Sequence, residues 1–549
     1  MIKKEIFALG FIFFLLITLN SCFKGDKVDL IIHNARVHTM NQSNDIAEAL
    51  AVHNGKIVEV GPEREILNRY RAVKTINARK KDVFPGFHDG HSHILSLAKQ
   101  KLSADLTGSG SYYEMLLKLE KFQSKNELDF LTGRGWDQSL WDDNELPTNE
   151  LLNERFPDIP VALTRVDGHA MLINDTLLKL SGLDTIQTIK GGEVIFENNK
   201  PTGLILDNAI EIISKLTPAP EKSLLKDKIK EVENELLAYG ITQIHEAGIH
   251  HKELELLIEM YDNNKLNINI YGMLFPTKEN MSFVEENGHY RNSNFSVRSF
   301  KILLDGALGS RGACLLHPYN DAENKFGLRL VNDEELDEIA EFAIHHDYQL
   351  NAHCIGDSAN RVLLNLMKNK LEGKADHRWR VEHAQVIHPE DIKLFNEVGA
   401  IPSVQPTHAT SDYRWAEKRL GLERLNSSAY KYKTLFDARN MIVLGTDFPV
   451  EDIDPFATIH AAVQRKDREN APENGFLTEE ALSLRETLQG MTLWASYGSF
   501  DESNSGTLEK GKKANLAIFD YPVKSEPKYK ANYAIYTIID GKVVYSMDL

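Results

Sequence analysis

Two imidazoles separated by one residue, His91 and His93, close the run Phe84-Pro85-Gly86-Phe87-His88-Asp89-Gly90-His91-Ser92-His93. In extended chain, residues two apart point to the same side, so this pair can grip one cation. A lone pair of this kind is also common on plain protein surfaces. Four further groups strengthen the reading. His353 ends an apolar run in Asn351-Ala352-His353-Cys354, and His383 ends another in Arg380-Val381-Glu382-His383. Asp447 follows a third in Val443-Leu444-Gly445-Thr446-Asp447. Lys301 lies inside a fourth, Phe300-Lys301-Ile302-Leu303-Leu304, where a lysine is rarely buried without a partner. Singly, each has a bland reading: a satisfied core histidine, a helix-capping aspartate, a snorkelling lysine. Together they suit a divalent metal, with Zn first for a His-rich set and Fe, Mn or Ni also accommodated.

Convergence requires elements that bring distant strand ends to one rim. Short apolar runs at 83–87, 241–245, 268–274, 297–304, 349–353, 379–383, 400–405 and 442–446 alternate with helical stretches such as 334–345 and 392–398. Strands alternating with helices predict a parallel sheet, and eight of them predict closure into a (β/α)8 TIM barrel. Polar groups at the carboxyl ends of barrel strands then share one site. The chain ends read differently. Residues 49–61 form a hairpin turned at Asn54-Gly55, and residues 534–546 a hairpin turned at Asp540-Gly541. Neither end can close a core alone, so together they are expected to build one β-sandwich. The division expected is a sandwich from 23–81 and 500–549, a barrel from 82–107 and 231–499, and an insertion at 108–230. That insertion follows barrel strand 1, and loops on that side of a barrel shape or cover the substrate pocket.

Composition narrows the partners. The chain has 549 residues, 42% apolar and 26% charged, with a formal net charge of -17. That describes a folded, acidic protein and argues against nucleic acid as a partner. A small molecule is the expected partner, and the oligomeric state is left open. Three cysteines, Cys22, Cys314 and Cys354, are too few for a disulfide framework. Cys22 closes a segment with Lys3 and Lys4 at its start and an apolar run over 6–19. The run is too short to span a bilayer and fits a secretion signal. Its end, Leu19-Asn20-Ser21-Cys22, resembles a lipobox, with Asn20 departing from the usual pattern. The expectation is a signal peptide over 1–22, lipidation at Cys22, and an exported lipoprotein anchored to a membrane of the cell envelope.

The chain resembles the amidohydrolase superfamily, within it amidohydrolase family 3, the YtcJ-like branch. The resemblance runs from about Asp29 to the C-terminus. It rests on His91-x-His93, Gly135-Trp136-Asp137, Arg165-Val166-Asp167-Gly168-His169, Asp305-Gly306-Ala307-Leu308-Gly309-Ser310-Arg311 and Gly506-Thr507-Leu508-Glu509-Lys510-Gly511-Lys512. It implies a barrel flanked by a sandwich of both chain ends, and one or two metal ions. His91, His93 and Asp447 would hold one ion, His353 and His383 a second. Lys301 matches the lysine that two-metal members carboxylate into a bridging carbamate. Asp447 would accept the proton of the attacking water, and His383 or His169 would help hold the oxyanion. Asp167, His169, Asp305, Arg311 and Gln405 would position substrate. His88 stands where an aliphatic residue is usual, Cys354 where a small residue is more familiar, and Asp207-Asn208 where a glutamate is expected. The activity implied is hydrolysis of an amide, N-acyl or N-formyl C–N bond. The alternatives are deamination of a cyclic amidine or heterocycle and, in another class, a non-catalytic lipoprotein that binds a small molecule or a metal.

Overall fold

A computed structural model describes residues 25–142, 144–185, 188–372, 376–524 and 528–547. Eight parallel strands form the barrel: Phe87–Ser92, Ile241–Ile249, Asn269–Leu274, Phe295–Leu303, Gln349–Cys354, Arg380–His383, Ile401–Val404 and Val443–Leu444. Each pairs with the next in chain order, and a short hairpin strand, Tyr290–Asn292, adds to the fourth. The ladder stops between the eighth strand and the first, where other bonds make the seam. Asp447 N donates to His91 O at 2.8 Å, and His93 N to Phe448 O at 2.9 Å. The Asp89 carboxylate accepts from Thr446 N at 3.0 Å, Thr446 Oγ1 at 2.6 Å and His91 N at 3.2 Å.

Seven of the expected barrel strands fall on observed ones. The first does not. Asp82–Pro85 pairs with Arg36–His38 and Leu516–Phe519 in a different sheet, and the barrel strand begins only at Phe87. Proline at 85 lacks a backbone donor, so the ladder of the first sheet ends there and the chain crosses into the second. Both pieces are fully buried, which is why apolarity alone could not divide them.

The chain ends do meet. A six-stranded sheet runs Lys542–Ser546, Ala534–Ile539, Leu516–Phe519, Asp82–Pro85, Arg36–His38, Ile46–Ala47. A four-stranded sheet runs Lys56–Gly61, Ala49–His53, Asp26–His33, Tyr70–Asn77. Leu30, Ile32, Val52, Val83, Leu516 and Ile538 share one apolar core between them. Both hairpin turns have positive φ at their two central residues, 51° and 75° at Asn54-Gly55, and 49° and 72° at Asp540-Gly541, as a type I′ turn requires.

The segment between the first two barrel strands carries a sheet of its own. Seven strands run in the order Thr188–Ile189, Gly192–Glu197, Lys200–Asp207, Ala170–Ile173, Val161–Arg165, Leu131–Trp136, Ala104–Asp105. Helix Tyr112–Asn126 buries Met115, Leu116 and Leu119 in the same core as Leu131, Val161 and Leu172. Helix Lys222–Ala238 belongs instead to the barrel's outer layer, since Leu225, Ile229, Val232 and Leu236 join the barrel core.

The expectation of a membrane-anchored lipoprotein is corrected. Among the described residues no helix is long and apolar enough to cross a membrane. The longest of them, Lys222–Ala238, has 17 residues and buries only one face. Cys22 and the apolar run before it lie outside the described residues. The anchor and the localisation built on it are therefore withdrawn.

The seam yields a stability prediction. Replacing Asp89 with Ala strands two backbone donors and a hydroxyl inside the barrel, so unfolding in urea should show a loss of about 2–4 kcal/mol. Asp89→Asn, which keeps an acceptor, should lose less.

Candidate metal centre

The strand ends place the chemistry. His91 lies in the first barrel strand, and His93 is the residue before helix Ile94–Gln100. Glu246, in the second strand, fixes that exit by accepting from Ile94 N at 2.6 Å and Leu95 N at 3.3 Å. Lys301 is in the fourth strand, His353 in the fifth and His383 ends the sixth. Asp447 follows the eighth. His383 and Asp447 both hold positive φ, 69° and 63°, a conformation that costs a side-chain-bearing residue energy and is kept where a side chain must be aimed.

Ligand atoms of His91, His93 and Asp447 lie within 4.8 Å of one another, and so do those of His383, His408 and Asp447. Asp447 is the member common to both groups. Its Oδ1 has His93 Nε2 at 3.0 Å and His91 Nε2 at 3.6 Å, while its Oδ2 has His408 Nε2 at 3.6 Å and His383 Nδ1 at 3.9 Å. Lys301 Nζ is 3.1 Å from His91 Nε2. The His353 ring lies 4.5 Å from the His383 ring, centroid to centroid.

This arrangement fits a divalent cation. Asp447 Oδ1, His353 Nε2 and His408 Nε2 are buried and have no hydrogen-bond partner. Buried polar atoms are nearly always bonded, so several lone pairs converging without donors call for a positive charge among them. Burial, reinforced by Lys301 and the neighbouring imidazoles, pushes the pKa values of His91, His353 and His383 well down. Neutral imidazole is the form that binds a metal. Burial alone would raise the Asp447 carboxyl, but the surrounding His91, His93 and His408 hold it below the usual carboxylate range. Burial lowers Lys301 to about 8.

A second layer supports the ligands. His91 Nδ1 and Glu382 Oε2 are 2.5 Å apart, and Arg380 Nε is 2.6 Å from Glu382 Oε1. The Arg380 guanidinium also donates to Gly90 O and Ser403 Oγ. Arg380 and Glu382 are fully buried. They sit beside His383 in the sequence, but only the sheet register shows that they reach His91. His408 is likewise absent from the sequence expectation. It lies in helix Pro406–Asp412, which follows the seventh strand, and its position just past a barrel strand was the available signal.

The expected substrate contacts divide. Asp167 and His169 line a cavity of about 560 Å³ that opens over the metal centre. His169 Nδ1 is 2.8 Å from Asp207 Oδ1. Burial lowers the His169 pKa, but Asp207 and Asp167 more than reverse this and raise it. Asp305, Arg311 and Gln405 do not line that cavity. The Asp305 carboxylate accepts from the backbone N–H groups of Cys314, Ile355 and Gly356, which makes it a clamp between loops. Arg311 forms a two-pronged pair with Asp321 at 3.1 and 2.9 Å. Gln405 Oε1 lies 2.7 Å from His383 Nδ1, behind the centre.

The same pattern appears in known proteins. The model of the amidohydrolase family matches residues 74–545. The chain is 27% identical to Protein LONG AFTER FAR-RED 3 of Arabidopsis thaliana over 540 residues, 95% of this chain and 92% of that one. It is 24% identical to the N-substituted formamide deformylase of Arthrobacter pascens over 540 residues, 94% of this chain and 98% of that one. In three dimensions it is similar to the crystal structure of a metal-dependent hydrolase from Pyrococcus horikoshii, with a TM-score of 0.73 and 25% identity, covering 94% of this chain and 100% of that chain.

Glu382 offers a test of the second layer. Its replacement by Gln removes the negative charge behind His91, and metal affinity, measured by competition with a chromogenic chelator, should fall about 10–100-fold.

Proposed function

We infer that this chain, which belongs to the amidohydrolase family, cleaves an N-acyl or N-formyl amide through a water molecule activated at the centre around Asp447. It is a metal-dependent hydrolase of a carbon–nitrogen bond. The observation that carries the finer reading is the convergence of His91, His93 and Asp447 on one point at the mouth of the barrel. The likeness to a deformylase acting on N-substituted formamides supports an acyl or formyl amide as the bond cleaved.

The proposed ligands are His91, His93 and Asp447 for one ion and His353 and His383 for a second, with zinc as the metal. His408 joins the set on the geometry above. A bound divalent metal would polarise the substrate carbonyl and lower the pKa of water from ~15.7 towards ~7. Lys301 is proposed to carry a carbamate. A buried lysine with a lowered pKa offers a neutral amine, which adds to CO2, releases a proton and becomes an anionic oxygen ligand. Asp447 accepts the water proton at Oδ1 or Oδ2 and passes it to the leaving nitrogen. His169, oriented by Asp207 and with its pKa raised by Asp207 and Asp167, donates to the carbonyl oxygen as negative charge develops there.

Stripping the metal with a chelator should abolish release of amine from a panel of N-formyl and N-acyl amides, and added Zn should restore it. Asp447→Asn should lower kcat by about 10²–10⁴-fold. Full turnover by a variant shown by elemental analysis to hold its metal would remove Asp447 as proton acceptor. Carbon-13 NMR under labelled CO2 should show a carbamate signal that Lys301→Met lacks.

A further inference from the structure

The insertion brings to the cavity a cation, Arg134, that feels the charges of Asp167 and Asp447 but is paired with no carboxylate among the described residues. Arg134 lies in strand Leu131–Trp136 and lines the cavity together with His91, His93 and Asp447. Among the described residues it makes no ion pair. Its hydrogen bond is a long one, Nη2 to Val166 O at 3.3 Å, and its Nε is buried with no partner. The other cations on this wall are engaged. Arg165 Nη1 and Nη2 reach Asp167 and Asp137, each at 2.5 Å, and Arg165 Nε donates to Gln138. Lys99 pairs with Glu253, Arg414 with Asp467, and Lys301 stands against His91.

Two features keep Arg134 open. Asp137 and Asp167 are tied to Arg165, and Asp167 also accepts from His169 N at 3.0 Å, so neither is free to turn towards Arg134. Gly168 faces the guanidinium, and a Cβ there would stand 3.4 Å from Nη2, against the face of the fork. A guanidinium presents five donors in one plane, a match for the two oxygens of a carboxylate. Leaving it inside a cavity without an acceptor is costly unless a ligand supplies one.

We propose that Arg134 receives the carboxylate of an N-acyl amino acid whose amide lies over the metal centre. This rests on the amide-hydrolase reading and narrows it to substrates with an anionic group close to the scissile bond. Arg134 is then a specificity residue, supplied by the insertion rather than by the barrel, and takes no part in proton transfer.

The test uses the full chain loaded with Zn. Its substrates are N-acetyl- and N-formyl-leucine and -phenylalanine, each paired with the same amide of the decarboxylated amine. The wild-type protein should favour the carboxylate member in kcat/KM. In Arg134→Met the ratio between the two should fall about 10–100-fold, mainly through KM, and Arg134→Lys should recover part of it. Metal content and the thermal midpoint of each variant confirm that the fold and the centre are intact. A ratio that Arg134→Met does not move, or a wild type that favours the decarboxylated amides, would overturn the proposal. If no compound releases amine, the amide reading has failed on its own account, and calorimetry with N-acetyl-leucine decides the rest. Binding weakened by Arg134→Met supports the carboxylate receptor, and absence of binding by every N-acyl amino acid in the panel overturns it.

Discussion

The barrel has to close between its eighth strand and its first, and the eighth strand is only Val443–Leu444. So short a strand cannot complete a ladder, so closure falls to Asp89, Thr446 and the backbone bond from Asp447 to His91. This seam also sets the chemistry. The bond that holds the barrel shut places Asp447 directly beside His91, at the open end. Gly445 permits the approach, because a Cβ there would lie 2.4 Å from His91 N. Stability and metal geometry therefore rest on the same few contacts, and a shift at the seam would be felt as a shift of ligands.

Around this seam the interior is unusually polar. Arg380, Glu382, His91, Lys301 and Asp447 are buried within a few bonds of one another. Charges in a low-dielectric interior persist only when paired and hydrogen-bonded. Arg380 and Glu382 satisfy each other, and between them they orient His91 and hold Gly90 O and Ser403 Oγ. Asp447 Oδ1, His353 Nε2 and His408 Nε2, which face the centre, are among the buried polar atoms left without a partner. Those atoms are the part of the network that a bound cation would complete.

The barrel rim carries the candidate metal ligands, whereas the segment between the first two barrel strands supplies one wall of the cavity above them. Its strands carry Arg134, Arg165 and Asp207 to the cavity wall, and the turn after Val161–Arg165 carries Asp167 and His169. Arg165 between two aspartates is a closed structural unit, so the charge of this wall is set by the groups it leaves over. Membership of a family fixes the reaction type more firmly than the substrate, because substrate contacts come from such added segments.

How much of this could be read from residues alone differs by element. The alternation of strands and helices, the two type I′ hairpins and the five ligand candidates at strand ends were legible, because each depends on local spacing or on turn chemistry that acts over a few residues. The first barrel strand was misplaced by several residues because 82–85 and 87–92 are equally buried, and only the pairing partners distinguish two sheets. The sheet inside 104–207 is not predicted by the sequence pattern, which marks 108–230 only as an insertion, since its strands are short and several pair across long stretches of chain. His408, Glu382 and Arg380 come near the centre only through contacts across the barrel, whereas Asp305 is engaged by the backbone of Cys314, Ile355 and Gly356, and Arg311 by Asp321 ten residues on. Composition and periodicity thus specified which elements form and which donors they carry. Only closure of the barrel decided which of those donors share a cation, because that depends on distances between residues separated by hundreds of positions.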